Sequence, residues 1–270
     1  MSRIIETAAN VAGTLRKLAM GVPGEKQGGY SRWMNVASAL QFLIGRKLGF
    51  PGTPALTLGC NGKIHSWTLV ERSDLTVLEE VFLNQEYALD GVAPDVVFDL
   101  GANIGVSAIF FAHRWPEARI FAIEPSPGTF KRLQVNTAMY PNITCINCAV
   151  SGADGVADFV ISPNHISSSL FRKLEGASTV PVEVRSFASL LRQVGVDHVD
   201  VVKFDVEGAE DAFFLDPSPI RDVSALIGEI HKDLLNCSLG EFLGRFSEFE
   251  IETRVDGPVH MVVAATRRTR

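Results

Sequence analysis

At 270 residues the chain is long enough for one large domain or for a domain with an appendage. Its composition, 46% apolar and 21% charged, is ordinary for a globular protein. A net charge of −6, from 25 basic and 31 acidic residues, argues against a general nucleic-acid binder, because phosphate contact needs a clustered basic surface.

Ile4, Ile5, Ala8, Ala12, Leu15 and Leu18 recur at helical spacing and predict an amphipathic helix. Glu6 and Asn10 interrupt what would be the apolar core of a secretory signal. A second helical patch runs from about Arg32 to Lys47 and is closed by Pro51 and Pro54. The apolar window Val36–Gly45 inside it is too short to span a bilayer, so the expectation is a cytoplasmic chain with no membrane span. Ala55 to Val70, broken by Asn61-Gly62, predicts a hairpin with a tight turn. Asp74 is expected to cap a helix whose buried stripe is Leu75, Leu78, Val81 and Phe82. Residues 1–90 thus read as an N-terminal cover of helices and a hairpin, whose helices could also form a homo-oligomer contact.

From Asp95 onward strands and helices alternate, and residues 91–270 read as the main domain. Strands are predicted at 96–100, 119–123, 143–149, 156–161, 199–205, 224–230, 249–254 and 259–265, with helices near 104–114, 127–139, 186–194 and 209–214. This is an α/β pattern: a mostly parallel sheet with helices on both faces. The last two strands are joined only by Asp256-Gly257-Pro258, which predicts a terminal antiparallel hairpin. Cys145 and Cys148 form a CxxC inside the apolar run Ile143–Val150. Residues three apart on a strand face opposite sides and no second CxxC is present, so buried structural cysteines are expected; with Cys60 and Cys237 they suggest no disulfide framework. The polar segment Ser162–Ser169 reads equally as a mobile lid or a solvated loop.

Ligands of an open α/β sheet bind beyond the carboxyl ends of its strands. There the chain places Asp99, Glu124, Ala149 and Ser151, Asp205 and Glu207, and Glu229 and His231. The run Val96–Leu100 enters the turn Gly101-Ala102-Asn103-Ile104-Gly105, whose glycines permit tight bending and close approach to a ligand. Glu124 lies 23 residues beyond Gly101, where a carboxylate can accept both ribose hydroxyls of an adenosine. A dinucleotide site wants a third glycine and no acid beside its pyrophosphate, whereas Asp99 stands two residues before Gly101. That charge favours S-adenosyl-methionine, which carries an ammonium and a sulfonium and no phosphate, over a nicotinamide dinucleotide. An NAD-dependent oxidoreductase is therefore the first rival, and a catalytically silent cofactor-binding scaffold the second.

Val97–Ser107, then Ala122-Ile123-Glu124-Pro125, then Val202–Glu210 with its Asp-Val-Glu-Gly-Ala-Glu core together resemble the FkbM-type methyltransferases over roughly residues 75 to 232. The resemblance implies a class I, Rossmann-like fold with a seven-stranded sheet. It also implies S-adenosyl-methionine-dependent methylation of a hydroxyl on a sugar, polyketide or similar small molecule. One departure is Ser186-Phe187-Ala188 where the family has Thr-Leu-Asp, which leaves the start of the next helix without its acid.

Asp99, Gly101, Ala102, Asn103 and Gly105 are assigned to the methionine end of the cofactor, Glu124 with Pro125 to the ribose, Ala149 with Val150 to the adenine wall, and Asp205 to the side the methyl group faces. Asp205, Glu207 and His231 are the candidates for orienting the acceptor and removing its proton, His231 because an unperturbed imidazole titrates near neutrality. Lys203 can pair with a carboxylate. Asp205 and Glu207 would share a strand face that suits a divalent ion, but no metal is assigned.

Overall fold

The computed structural model describes residues 2–23, 29–48, 54–161, 178–215 and 220–268, and the segment Ser162–Ser169 lies outside them. The chain divides into two compact units, Met1–Ala88 and Leu89–Arg270. Among the described residues no helix is long and apolar enough to cross a membrane.

The first unit holds helices α1 (Ser2–Met20) and α2 (Gly29–Leu48), strands β1 (Ala55–Leu58) and β2 (His65–Thr68), helix α3 (Arg72–Leu78) and a π-helical turn, Glu79–Leu83. The hairpin closes through Asn61 and Gly62, both at positive φ. Asn35 of α2 clamps Thr57 from both sides, accepting its N–H at 2.8 Å and donating to its carbonyl at 2.7 Å. Asp74 stands in the first turn of α3 rather than at its cap. Its carboxylate nonetheless accepts the N–H groups of Val70 and Glu71, at 2.7 and 2.9 Å, which is the work a cap performs.

The second unit runs β3 (Val96–Leu100), α4 (Val106–Arg114), β4 (Arg119–Ile123), α5 (Pro127–Thr137), β5 (Ile143–Ile146), β6 (Ala149–Ser151), β7 (Gly155–Ile161), β8 (Ser178–Ser186), α6 (Phe187–Val194), β9 (Val201–Phe204), α7 (Glu210–Phe213), β10 (Ala225–His231), α8 (Leu239–Gly244), β11 (Phe249–Asp256) and β12 (His260–Arg267). The main sheet has seven strands in the order β11-β12-β10-β9-β3-β4-β5. Every pair from β10 to β5 is parallel, and only β12 runs against its neighbours. This is the class I, Rossmann-like arrangement, with the terminal hairpin folded back so that its second strand lies inside the sheet. All five residues of β3 are buried, as expected of a central parallel strand written in continuous apolar residues.

Three features depart from the expected elements. The apolar stretch from Ile143 to Ala149 is two strands, not one. Asn147 turns the chain between them, donating to the carbonyls of Glu124 at 2.8 Å and Pro125 at 3.1 Å. β6 then leaves the main sheet for a three-stranded one ordered β6-β8-β7. β8 was not foreseen because Pro181 interrupts it, yet β6 pairs only with Val184–Ser186, so Pro181 sits where no ladder bond is needed on that side. α8 was also missed, although Ser238 and Glu241 form a capping box legible three residues apart. The departure at Ala188 is compensated locally. Ser186 caps α6, and Asp154 from the loop before β7 accepts the Ser186 N–H at 2.7 Å and the Ser189 hydroxyl at 2.6 Å, which holds its carboxyl down at about 2.

The core beside β9 and β10 is aromatic. Phe214 meets Phe204, Phe213, Phe242 and Phe246 edge-on, with centroids 4.5 to 5.7 Å apart. Phe214→Ala is expected to cost about 3–5 kcal/mol. Urea unfolding measures this, and a loss under about 1 kcal/mol would contradict the packing described.

Candidate active site

The turn after β3 is strapped to the end of β4, since the N–H groups of Gly101 and Ala102 both donate to the Ile123 carbonyl, at 3.0 and 2.8 Å. Gly101 has φ 75°, and a Cβ there would lie 1.9 Å from the carbonyl oxygen of Asp205, just beyond β9. No other residue fits. Gly105, at φ 93°, bends the chain into α4.

Asn103 also adopts a left-handed conformation, φ 51°, which presents its N–H to Glu124 Oε2 at 3.0 Å. The other oxygen, Oε1, accepts from the Ser126 N–H at 2.8 Å. Glu124 is thus fixed between the glycine turn and the cap of α5, is only 7% exposed, and still has a lone pair free on each oxygen. Burial pushes its carboxyl up to about 7, although both backbone bonds oppose the shift. Near it the Asn103 Oδ1 is buried with no hydrogen-bond partner among the described residues.

Asp99 was expected to hold a cationic amino group of the ligand. The structure gives it a different cation. Asp99 is fully buried, accepts the Ser107 hydroxyl at 2.6 Å and lies 3.2 Å from Lys203 Nζ. Lys203 is itself buried, donates to the carbonyls of Gly101 at 2.7 Å and Leu100 at 3.3 Å, and is 4.0 Å from Asp205 Oδ2. Burial alone would lower its pKa, but Asp99 and Asp205 outweigh that and hold the ammonium above its ordinary value. The Asp99 carboxylate on β3 is thus opposed by the Lys203 ammonium on β9.

Beyond β9, Asp205, Glu207 and His231 come together, each offering an atom within 4.8 Å of the others. Glu207 is a further non-glycine residue at positive φ, 51°, and its Oε2 lies 3.3 Å from His231 Nε2. His231, at the end of β10, holds the fully buried Glu210 through Nδ1 at 2.8 Å. His231 was expected to serve as a neutral base. Burial would lower its pKa, but the hydrogen bond to Glu210 and the charges of Glu210, Asp205 and Glu207 carry it up to about 10. With no further cation beside it, these carboxylates favour the protonated ring. Glu229, two residues earlier on β10, is raised to about 7 by burial and by the charge of Asp205.

Ala102 and Pro125 lie within these turns, Ala102 fully buried. Ala149 and Val150 are both buried, on β6, and belong to two different apolar clusters. Cys145 and Cys148 are free thiols; Cys148 is buried, which pushes it up to about 12. Ser107, Asn147 and Glu210 escaped the sequence reading. Glu210 stands in the quoted motif, but an acid opening a short helix reads as surface unless its histidine partner is known.

The chain matches the model of the methyltransferase FkbM domain over residues 99–236. It is 30% identical to the hexuronic acid methyltransferase AglP of Haloferax volcanii over 139 residues, 51% of this chain and 56% of that protein. It is 27% identical to the 2-O-methyltransferase NoeI of Sinorhizobium fredii over 136 residues, 43% of this chain and 55% of that one. Against the 31-O-demethyl-FK506 methyltransferase FkbM of Streptomyces tacrolimicus the identity is 35% over 89 residues, 32% of this chain and 34% of that protein. The chain spans from 11% to 65% of the length of the curated relatives it matches. Among solved structures, the fibrillarin of Aeropyrum pernix with bound S-adenosyl-L-methionine superposes at a TM-score of 0.44 and 14% identity, over 78% of this chain and 93% of that one.

The buried pair yields a stability test. Lys203→Met leaves Asp99 charged without its cation and is expected to cost about 3–5 kcal/mol, and adding Asp99→Leu should restore much of the loss. Denaturant unfolding of both variants decides it; equal losses in the single and double variants would show that the two groups are not coupled.

Proposed function

The chain belongs to the FkbM methyltransferase family, and on that basis we propose that residues 89–270 bind S-adenosyl-methionine at the carboxyl ends of β3, β4 and β9 and methylate a hydroxyl of a small molecule. The observation that carries the reading is Glu124: a carboxylate almost wholly buried, oriented by one N–H on each oxygen, with acceptor capacity left over for two more donors. A vicinal diol has the matching pair of hydroxyls.

When bound, S-adenosyl-methionine supplies a methyl group on a sulfonium, released as the C–S electron pair returns to sulfur. The chain's part is to hold and orient. Glu124 accepts from the ribose, and Pro125 with the neighbouring Asn147 shapes the turn beside it. The buried, unpartnered Asn103 Oδ1 suits a donor at the amino-acid end, and Gly101, Ala102 and Gly105 let the backbone approach there. Asp99 acts through Lys203 by fixing the turn. Ala149 and Val150 offer apolar surface for the adenine.

On the acceptor side, Asp205 and Glu207 orient the hydroxyl. Its proton passes to a carboxylate rather than to His231, which is already protonated, and Glu229 at about 7 is suited to receive it. His231 then serves as a fixed donor, held by Glu210. The names of the relatives, a hexuronic acid methyltransferase, a 2-O-methyltransferase and a 31-O-demethyl-FK506 methyltransferase, support a hydroxyl of a sugar or similar small molecule as the acceptor class. Residues 1–88 form a separate compact unit, which we propose as a candidate surface for self-association.

Two measurements follow. Glu124→Ala should weaken S-adenosyl-methionine binding about tenfold or more in calorimetric titration, and an unchanged affinity would count against the assignment. In the wild type the ligand's hydroxyls favour the ionised carboxylate, so affinity should rise as pH climbs through about 7 and fall below it. A flat profile across that range would remove Glu124 from the ribose.

A further inference from the structure

We propose that Asp205, Glu207 and His231 form a binding site for one divalent transition-metal cation, with Glu210 orienting the histidine from behind. The inference deepens the methyltransferase reading, and for the cation's purpose it rests on it.

Three observations converge. One nitrogen and two carboxylate oxygens lie within 4.8 Å of one another at the open end of the sheet. The histidine is arranged as metal-binding histidines are: Nδ1 is tied to Glu210 at 2.8 Å, which leaves Nε2 facing Glu207 at 3.3 Å. Acceptor capacity is also left over. The Oδ1 of Asp205 and the Oε2 of the fully buried Glu210 are both buried without a hydrogen-bond partner among the described residues.

The charges point the same way. Asp205, Glu207, Glu210 and Glu229 gather around His231, Glu229 at 4.0 Å from Nε2, while the Lys203 ammonium, 4.0 Å from Asp205, is shared with Asp99. These four carboxylates outnumber the two imidazoles beside them, His231 and His260, the latter 3.7 Å from Glu229, and a half-buried setting favours a further cation. Glu207 adopts a left-handed conformation, a costly backbone choice for a residue with a side chain, and its Oε2 lies 3.3 Å from the histidine. A donor set of one imidazole and two carboxylates suits manganese(II) or zinc better than magnesium, which prefers oxygen alone.

A cation held there would displace the Nε2 proton of His231 to solvent, take an acceptor hydroxyl as a further ligand and lower its pKa, so that the hydroxyl proton passes more readily to a neighbouring carboxylate while the oxygen stays fixed. That supplies acidity and orientation at the ends of β9 and β10, separated from Glu124 after β4 by β3 in the sheet order.

The test uses the full chain, stripped with a chelator and titrated with manganese(II), with free ion read by electron paramagnetic resonance. One ion per chain is expected. His231→Gln and Asp205→Asn should each weaken binding at least about tenfold, and Glu210→Gln, which touches no metal, should also weaken it about tenfold. Circular dichroism checks each fold; should His231→Gln not fold, Asp205→Asn, whose side chain is partly exposed, carries the comparison. Absence of saturable binding, or equal affinity in the folded variants, would overturn the site. S-adenosyl-methionine binding is measured in parallel. Manganese binding without cofactor binding would support the metal site while sinking the methyltransferase reading; cofactor binding without manganese would overturn the metal site alone.

Discussion

The second unit depends on how the ends of β3 and β9 are held together. Two adjacent parallel strands finish side by side, and the backbone of Gly101 passes so close to Asp205 that a methyl group would not fit between them. Lys203 lies under this crossing, bonded to two carbonyls of the turn and paired with Asp99. A buried ion pair is a weak source of net stability, because desolvation offsets most of the Coulomb attraction. Its contribution here is geometric. It sets where the glycine turn sits, and through the turn it sets where the Asn103 N–H meets Glu124.

From that crossing the site divides into two electrostatic environments. On the β4 side a single carboxylate, Glu124, is buried, hydrogen-bonded by the backbone and poised near neutrality. On the β10 side several carboxylates gather around His231, and His260 stands 3.7 Å from one of them, Glu229. The first environment suits a neutral diol, and the second suits a cation or a hydroxyl that must shed a proton. The two environments lie at the carboxyl ends of β4 and β10, with β3 and β9 between them in the sheet.

Much of this was legible in the chain. The apolar run into Gly101 and Gly105, the acid at Glu124 and the acids after β9 follow from strand periodicity and from the rule that ligands gather at carboxyl ends. What could not be read was which charges are already matched. Asp99 looks available until Lys203, more than a hundred positions away, is found beside it. His231 looks like a base until Glu210 is seen behind its ring. Isolated residue types carry reference pKa values, and only the fold supplies the neighbours that displace them. The strands that escaped notice have the same cause: β6 and β8 pair with each other across a long separation, and Pro181 is acceptable only because its neighbour ends early.

The central claim is that Glu124 and the glycine turn receive the adenosyl group. A crystal structure of the chain with S-adenosyl-homocysteine tests it most directly. The account predicts both ribose hydroxyls within hydrogen-bond distance of the Glu124 carboxylate, with the amino-acid end over the Gly101–Gly105 turn. A nucleoside lodged away from β4, with Glu124 still bonded only to Asn103 and Ser126, would contradict it.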